Sequence, residues 1–303
     1  MQFVNPRNDV AFKKIFGDEN KTEILISFLN AILDLTGDKA IQSVKMLNPY
    51  QTPRLKILKT SILDVRATDK RGVTFIVEMQ VAHVAGVKKR FLYYITKAYN
   101  SQINRGEDYP KLNQVIFIGI LDFNLFDRGK KVKDKRYLTR HQILDTETHD
   151  QEFKDLEMNF LELPKFKKAE SELVSMLDKW IFFIKHADDL DVMPEYAMHD
   201  NALQEAYKSA DQFGWSKEDL EAYDYRGIKM QDARGALQFA EEKGIQQGIQ
   251  QGIQQGIQQG TQQGIQQGKI NTARNLLSMG LSMEQITQAT GLSLDEVDAL
   301  TNA

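Results

Sequence analysis

Asp64, Glu78 and Gln80 carry the polar groups of two strand-like runs, Thr60–Ala67 and Val73–Val81, separated by the turn-forming Asp69-Lys-Arg-Gly72. Apolar residues bounded by a polar turn read as a hairpin. Strand side chains alternate between faces, so Glu78 and Gln80 point the same way, about 6.6 Å apart. A hairpin can set Asp64 beside them. Two carboxylates and an amide oxygen on mostly apolar strands suit a divalent cation, because hard ions such as Mg²⁺ take oxygen ligands and keep waters for substrate. The backbone carbonyl of Met79 is a further candidate ligand. The rival reading is structural: Asp64 caps a strand end, and Glu78 pairs with Arg66 or a lysine across the hairpin.

The elements around the hairpin follow from periodicity. Residues 7–16 suit a short helix. Residues 22–35 suit a longer one, with Ile24, Leu25, Phe28, Leu29, Ile32 and Leu33 on one face. Thr22 or Asn20 is placed to cap it. Residues 41–47 alternate and predict a first strand. Residues 88–104 predict a helix behind the hairpin. Residues 115–121 form an unbroken apolar run, which predicts a strand covered on both faces. Further strands are expected at 137–145 and 156–163, an amphipathic helix at 170–185, and charged helices across 195–243.

The pattern resembles a PD-(D/E)XK nuclease, in particular the Rpn family of recombination-promoting nucleases and transposases. Asp64 and Glu78 match the two metal carboxylates of that motif, and Gln80 stands where its final Lys would be, like the E-x-Q form of the Rpn family. The opening Asn5-Pro-Arg-Asn-Asp9-Val-Ala-Phe-Lys-Lys-Ile-Phe-Gly17 resembles the family's N-terminus, where a helix-borne acid joins the site; Asp9 would be that acid. The resemblance spans roughly residues 1–250. It implies an α/β fold with a PD-(D/E)XK restriction-endonuclease-like core, an α-β-β-β-α-β mixed sheet, and a helical C-terminal extension. It also implies DNA cleavage in the setting of recombination or a mobile element.

Phosphodiester hydrolysis needs an activated water, charge neutralisation at phosphorus and a stabilised leaving oxygen. One or two Mg²⁺ or Mn²⁺ ions held by carboxylates supply all three. Asp64 and Glu78 are the expected main ligands, with Asp9 holding a second ion or orienting water. Gln80 lacks the positive charge of a Lys, but its amide can orient water or bind metal through oxygen. Phosphate contacts are expected from Lys13 and Lys14, from Lys88, Lys89 and Arg90, and from the basic run that contains Lys130, Lys131 and Lys133. A solvated charged face is the alternative for that run. Tyr93 and Tyr94 are placed either to stack on bases or, for Tyr94, to enter the core.

Net charge is −3 over 303 residues, but it is unevenly spread: +8 over residues 1–150 and −11 over 151–303. A polyanion prefers the first half, unless the difference is ordinary variation between segments. The chain has no cysteine, which rules out disulfides and thiolate metal sites and suits a reducing cytoplasm. No secretory leader is read at the N-terminus, and no apolar run is long enough to cross a membrane. The five histidines show no paired ligand spacing. His83, just past the motif, is expected at the surface. There is no Walker-type phosphate loop and no serine nucleophile elbow.

Residues 244–267 are six Gly-Ile-Gln-Gln units with Thr261 in place of one Ile. On an α-helix each four-residue step turns 400°, so the Ile stripe drifts by about 40° per unit. Each interior Gly costs on the order of 1 kcal/mol relative to Ala. Two outcomes remain open: a marginal helix ordered by self-association, and a flexible Gln-rich spacer. Beyond it, Ser282-Met-Glu-Gln285 and Ser293-Leu-Asp-Glu296 match capping boxes, and Gly280 and Gly291 sit at helix ends. Three short helices are expected, resembling a helix-turn-helix. The last carries Asp295, Glu296 and Asp298 without Lys or Arg, which favours packing or partner binding over DNA reading. The expected divisions are a nuclease-like core at 1–165, a helical extension at 166–243, the repeat at 244–268 and the tail at 269–303.

The expected function is therefore a Mg²⁺- or Mn²⁺-dependent DNA endonuclease of little sequence preference, homo-oligomeric through its repeat or tail. The alternative is a decayed DNA-binding or self-assembling protein, which Gln80 favours.

Overall fold

The computed structural model describes residues 2–51, 61–104, 106–127 and 134–301. Met1–Arg234 and Gly235–Ala303 form two compact units. The first opens with α1 (Asp9–Phe16) and α2 (Thr22–Leu33). Asn8 caps α1 by accepting the Val10 N–H. The N-cap position of α2 falls on Lys21, with no side-chain cap bond, so neither Thr22 nor Asn20 caps that helix. The amide of Asn30 instead brackets the backbone of Ile41.

The strands are β1 (Val44–Met46), β2 (Tyr50–Gln51), β3 (Ser61–Ile62), β4 (Val65–Asp69) and β5 (Thr74–Gln80). Helix α3 (Val87–Asn100) follows, then β6 (Val115–Leu121), β7 (Leu138–Gln142) and β8 (Leu156–Glu162). Six of them form a mixed sheet in the order β1-β4-β5-β6-β8-β7, while β2 and β3 pair separately. Strand β4 runs antiparallel to β1 and β5; β5, β6 and β8 are parallel; β7 returns antiparallel to β8. The α-β-β-β-α-β order expected for the core is carried by α2, β1, β4, β5, α3 and β6. Every residue of β6 is buried, as its unbroken apolar run requires. Asp69 closes the hairpin turn by accepting the Arg71 and Val73 N–H groups.

Each sheet face buries its own apolar cluster. On one side Phe75, Val77 and Met79 of β5 meet α1 and α2, together with α4 (Met176–His186), α5 (Glu195–Met198) and α6 (Asn201–Ala210). Trp180 lies among Phe16, Phe28 and Phe183. Residues 166–215 thus share the core of α1 and α2 rather than forming a separate layer. On the other side Ile76 meets Phe91 and Ile95 of α3, with Phe117 and Phe160. Gly119 leaves room there for Phe160, whose ring carbon would lie 2.9 Å from an added Cβ. The helix expected at 170–185 is divided: Ser175 begins α4 with a capping box to Asp178.

Helix α7 runs over Lys217–Ser278 and includes the whole Gly-Ile-Gln-Gln repeat. The expected first tail helix is its last part, followed by α8 (Met283–Thr290) and α9 (Leu294–Thr301). Ile270, Ala273, Leu276, Ile286, Leu292 and Val297 form their small core. Both capping boxes form, and Gly280 and Gly291 adopt φ of 82° and 66°, where L-residues are strained. The repeat isoleucines are exposed. Among the described residues, no helix is long and apolar enough to cross a membrane.

A Cβ added at Gly248, Gly252 or Gly256 meets nothing within 4 Å outside the helix's own backbone. Replacing all three by Ala should favour the helix by about 1 kcal/mol per site. Far-ultraviolet circular dichroism should show helical signal persisting to higher temperature. No change would mean that the repeat is not helical in solution.

Candidate active site

The polar residues of the hairpin meet where β4 begins and β5 ends. Asp64 lies in the bend between β3 and β4, not inside a strand. Val65 pairs with Val77, so one further step of the register sets Asp64 across from Glu78. The Met79 N–H donates to Asp64 Oδ2 at 2.8 Å. In extended backbone the N–H and C=O of one residue face the same neighbour, so the Met79 carbonyl also faces the Asp64 side. Glu78 and Gln80 share the sheet face of Ile76, toward α3.

Glu78 is 3% exposed. Its Oε2 accepts from Gln80 Nε2 at 3.2 Å, while Oε1 is buried with no hydrogen-bond donor among the described residues. Burial pushes the Glu78 carboxyl well above its ordinary value; the Asp64 charge adds to this, and Arg90 opposes it. Burial also raises Asp64, against the pull of Lys13. Two adjacent, desolvated carboxylates of like charge are costly unless a cation joins them. Among the described residues Glu78 makes no ion pair with Arg66, whose Nε is buried without a hydrogen-bond partner.

Cations approach this pair from two helices. Lys13 of α1 sets its Nζ 3.3 Å from Asp64 Oδ1. Arg90 of α3 donates from Nη2 to Gln80 Oε1, so Arg90, Gln80 and Glu78 form a chain of donors and acceptors. The oxygen expected to bind metal or water is thus committed to Arg90. Tyr94, one turn after Arg90, is half-buried, and burial together with Glu78 raises its phenol. Its environment is this site rather than a base-stacking surface. Tyr93 is exposed, with Lys97 over its ring.

Asp9 stands apart from the pair. Its Oδ2 lies 3.6 Å from Arg226 Nε of α7, although its charge still reaches Asp64. Among the described residues no three acid or imidazole side chains gather closely enough to hold a metal together. The ion-pair partner of Asp9 among the described residues is Arg226. His83 packs edge-on against Phe123. Asp122, at the end of β6, receives Arg7 and Arg234, and its N–H donates to the Gln80 carbonyl at 2.9 Å.

The residues expected to meet phosphate divide in the same way. Lys14 faces away from Asp64: it pairs with Asp219 at 2.6 Å and lies over the Trp215 ring. Lys88 and Lys89 are exposed at the start of α3, Lys88 over Phe126. Lys130, Lys131 and Lys133 lie outside the described residues. Reading the sequence set Lys13 near Asp9 but missed its pairing with Asp64. It also missed the buried group of Glu162, Lys165 and Asp127. There Lys165 Nζ lies 2.7 Å from Glu162 and 3.1 Å from Asp127.

The donor set fits Mg²⁺ or Mn²⁺: two carboxylates, one of whose oxygens lacks a donor, and a backbone carbonyl, with the remaining positions left to water.

Two family models match the chain. A family model described as PD-(D/E)XK nuclease family transposase matches residues 6–240. A second, described as Rpn/YhgA-like nuclease family, C-terminal HTH domain, matches residues 266–302. No curated protein and no solved structure matches the chain.

Proposed function

The chain belongs to the PD-(D/E)XK nuclease family of transposases, and on that premise we propose that it hydrolyses DNA phosphodiesters at Asp64 and Glu78 with Mg²⁺ or Mn²⁺. The observation that carries this reading is the buried pair itself, with raised carboxyls and the donor-free Oε1 of Glu78. Asp64, Glu78 and the Met79 carbonyl would hold the ion. When bound it supplies a polarised water and charge neutralisation at phosphorus. The protein's own residues fix the ligands. The Met79 N–H orients Asp64, and the Arg90–Gln80 chain orients Glu78. Lys88 and Lys89 meet the DNA backbone, a contact that carries no base information, so cleavage has little sequence preference. The setting is recombination or a mobile element, within the cytoplasm.

The test is nicking of supercoiled plasmid by pure protein with Mg²⁺ or Mn²⁺, compared with Asp64→Ala. Asp64→Ala should lose more than about 100-fold, because even outer-shell partners of metal ligands are worth 10–100-fold. Equal nicking by the two proteins would remove Asp64 from the mechanism.

One observation favours a decayed site: a neutral Gln80, with its oxygen spent on Arg90, occupies the Lys position of the motif. In that case DNA binding and assembly survive without cleavage. For the unit at residues 235–303 we propose self-association that regulates the core. The acidic α9, with Asp295, Glu296 and Asp298, is poorly suited to phosphate. Light scattering on the full chain should give a multiple of the single-chain mass; the single-chain mass itself would defeat this proposal.

A further inference from the structure

We propose that Lys13 supplies, from α1, the positive charge at the scissile phosphate that Gln80 cannot. This inference rests on the nuclease reading above. Lys13 lies on α1, and its ammonium reaches the carboxylate pair at Asp64. Lys13 Nζ is 3.3 Å from Asp64 Oδ1, while Asp64 Oδ2 is held by the Met79 N–H. The oxygen that Lys13 engages is thus the one left for a divalent ion. An ion taking that oxygen frees the ammonium beside the reacting centre, on a stem that is 38% exposed and reachable by substrate. Arg226 neighbours Asp9 and Lys14 pairs with Asp219, while Arg90, which donates to Gln80, lies on the Glu78 side of the pair.

In the reaction the oxygen of water forms a bond to phosphorus and the bridging P–O bond of the strand breaks. The attacking water gives a proton to solvent, and the leaving oxygen takes one from solvent. Charge grows on the non-bridging oxygens at the crowded phosphorus, and Lys13 donates hydrogen bonds to one of them. Such a contact strengthens as the charge develops, so it acts on kcat more than on DNA affinity.

The test compares the full-length protein with Lys13→Met and Lys13→Arg. Three quantities are measured: plasmid nicking, Mn²⁺ binding by calorimetry, and DNA affinity by anisotropy with Ca²⁺ in place of Mn²⁺. Lys13→Met should lower kcat about 100-fold. It should bind Mn²⁺ as tightly as the parent or more tightly, since Asp64 has lost a competing cation, and shift DNA affinity less than about threefold. Lys13→Arg should recover activity to within about tenfold of the parent. Nicking by Lys13→Met within about threefold of the parent would overturn the assignment. So would loss of Mn²⁺ binding in Lys13→Met, which would make Lys13 only a support for Asp64. A parent protein that neither binds Mn²⁺ nor nicks would instead bring down the nuclease reading, and this inference with it.

Discussion

Glu78→Gln should reduce DNA cleavage more than about 100-fold and yet melt at a higher temperature than the parent at pH 8 in metal-free buffer. The first effect follows from removing a carboxylate that we propose as a direct metal ligand, which matters more than the 10–100-fold typical of outer-shell partners. The second follows from burial. Glu78 is 3% exposed, and its carboxyl is raised well above 4.5, first by desolvation and then by Asp64. The folded state therefore binds this proton more tightly than the unfolded state does. Stability falls as pH rises from the ordinary carboxylate range through the raised value, and above it the full burial penalty applies. Gln carries no such charge. The advantage of Glu78→Gln should be present at pH 8 and shrink as the buffer is acidified toward about 4.5. Millimolar Mn²⁺ should reverse the order, because ligand binding stabilises only the protein that binds it. Scanning calorimetry at several pH values, with and without Mn²⁺, reads both effects. A Glu78→Gln protein that melts below the parent at pH 8 would make the carboxylate a structural one.

The next largest effect concerns Lys165. Its ammonium is 6% exposed and lies between Glu162, fully buried, and Asp127, 8% exposed. Burial presses its pKa down, but the two carboxylates outweigh that, and the net shift is upward. Glu162 also accepts the backbone N–H groups of Leu125 and Phe126, so the group ties the segment after β6 to the end of β8. Lys165→Met leaves two buried carboxylates without their cation. Breaking a buried pair from one side costs about 3 kcal/mol, or roughly 6–12 °C in melting temperature for a unit of this size. Adding Glu162→Gln to the variant should restore part of the loss. A drop of under about 2 °C would show that solvent already screens the group.

Much of this architecture was legible because periodicity and burial agree. Residues 115–121 form β6 as read, and the hairpin register carries Asp64 across from Glu78. The missed features are those set by neighbours far along the chain. Asp64 sits in a bend rather than a strand, and its side chain accepts the Met79 N–H, a bond invisible to local propensity. Glu162 and Lys165 show an i, i+3 spacing, but Asp127 joins them from 38 residues away. Arg226 reaches Asp9 from a helix more than two hundred residues later. The repeat was ambiguous because Gly opposes the helix while four-residue spacing keeps its Ile on one drifting stripe; the structure makes it helical.

Calorimetric titration of Mn²⁺ into the full-length protein near neutral pH addresses the shared-ion site most directly. Saturable binding is expected for the parent and none for Asp64→Ala or Glu78→Gln. Identical isotherms for all three proteins, or no heat of binding from the parent at millimolar metal, would contradict the account.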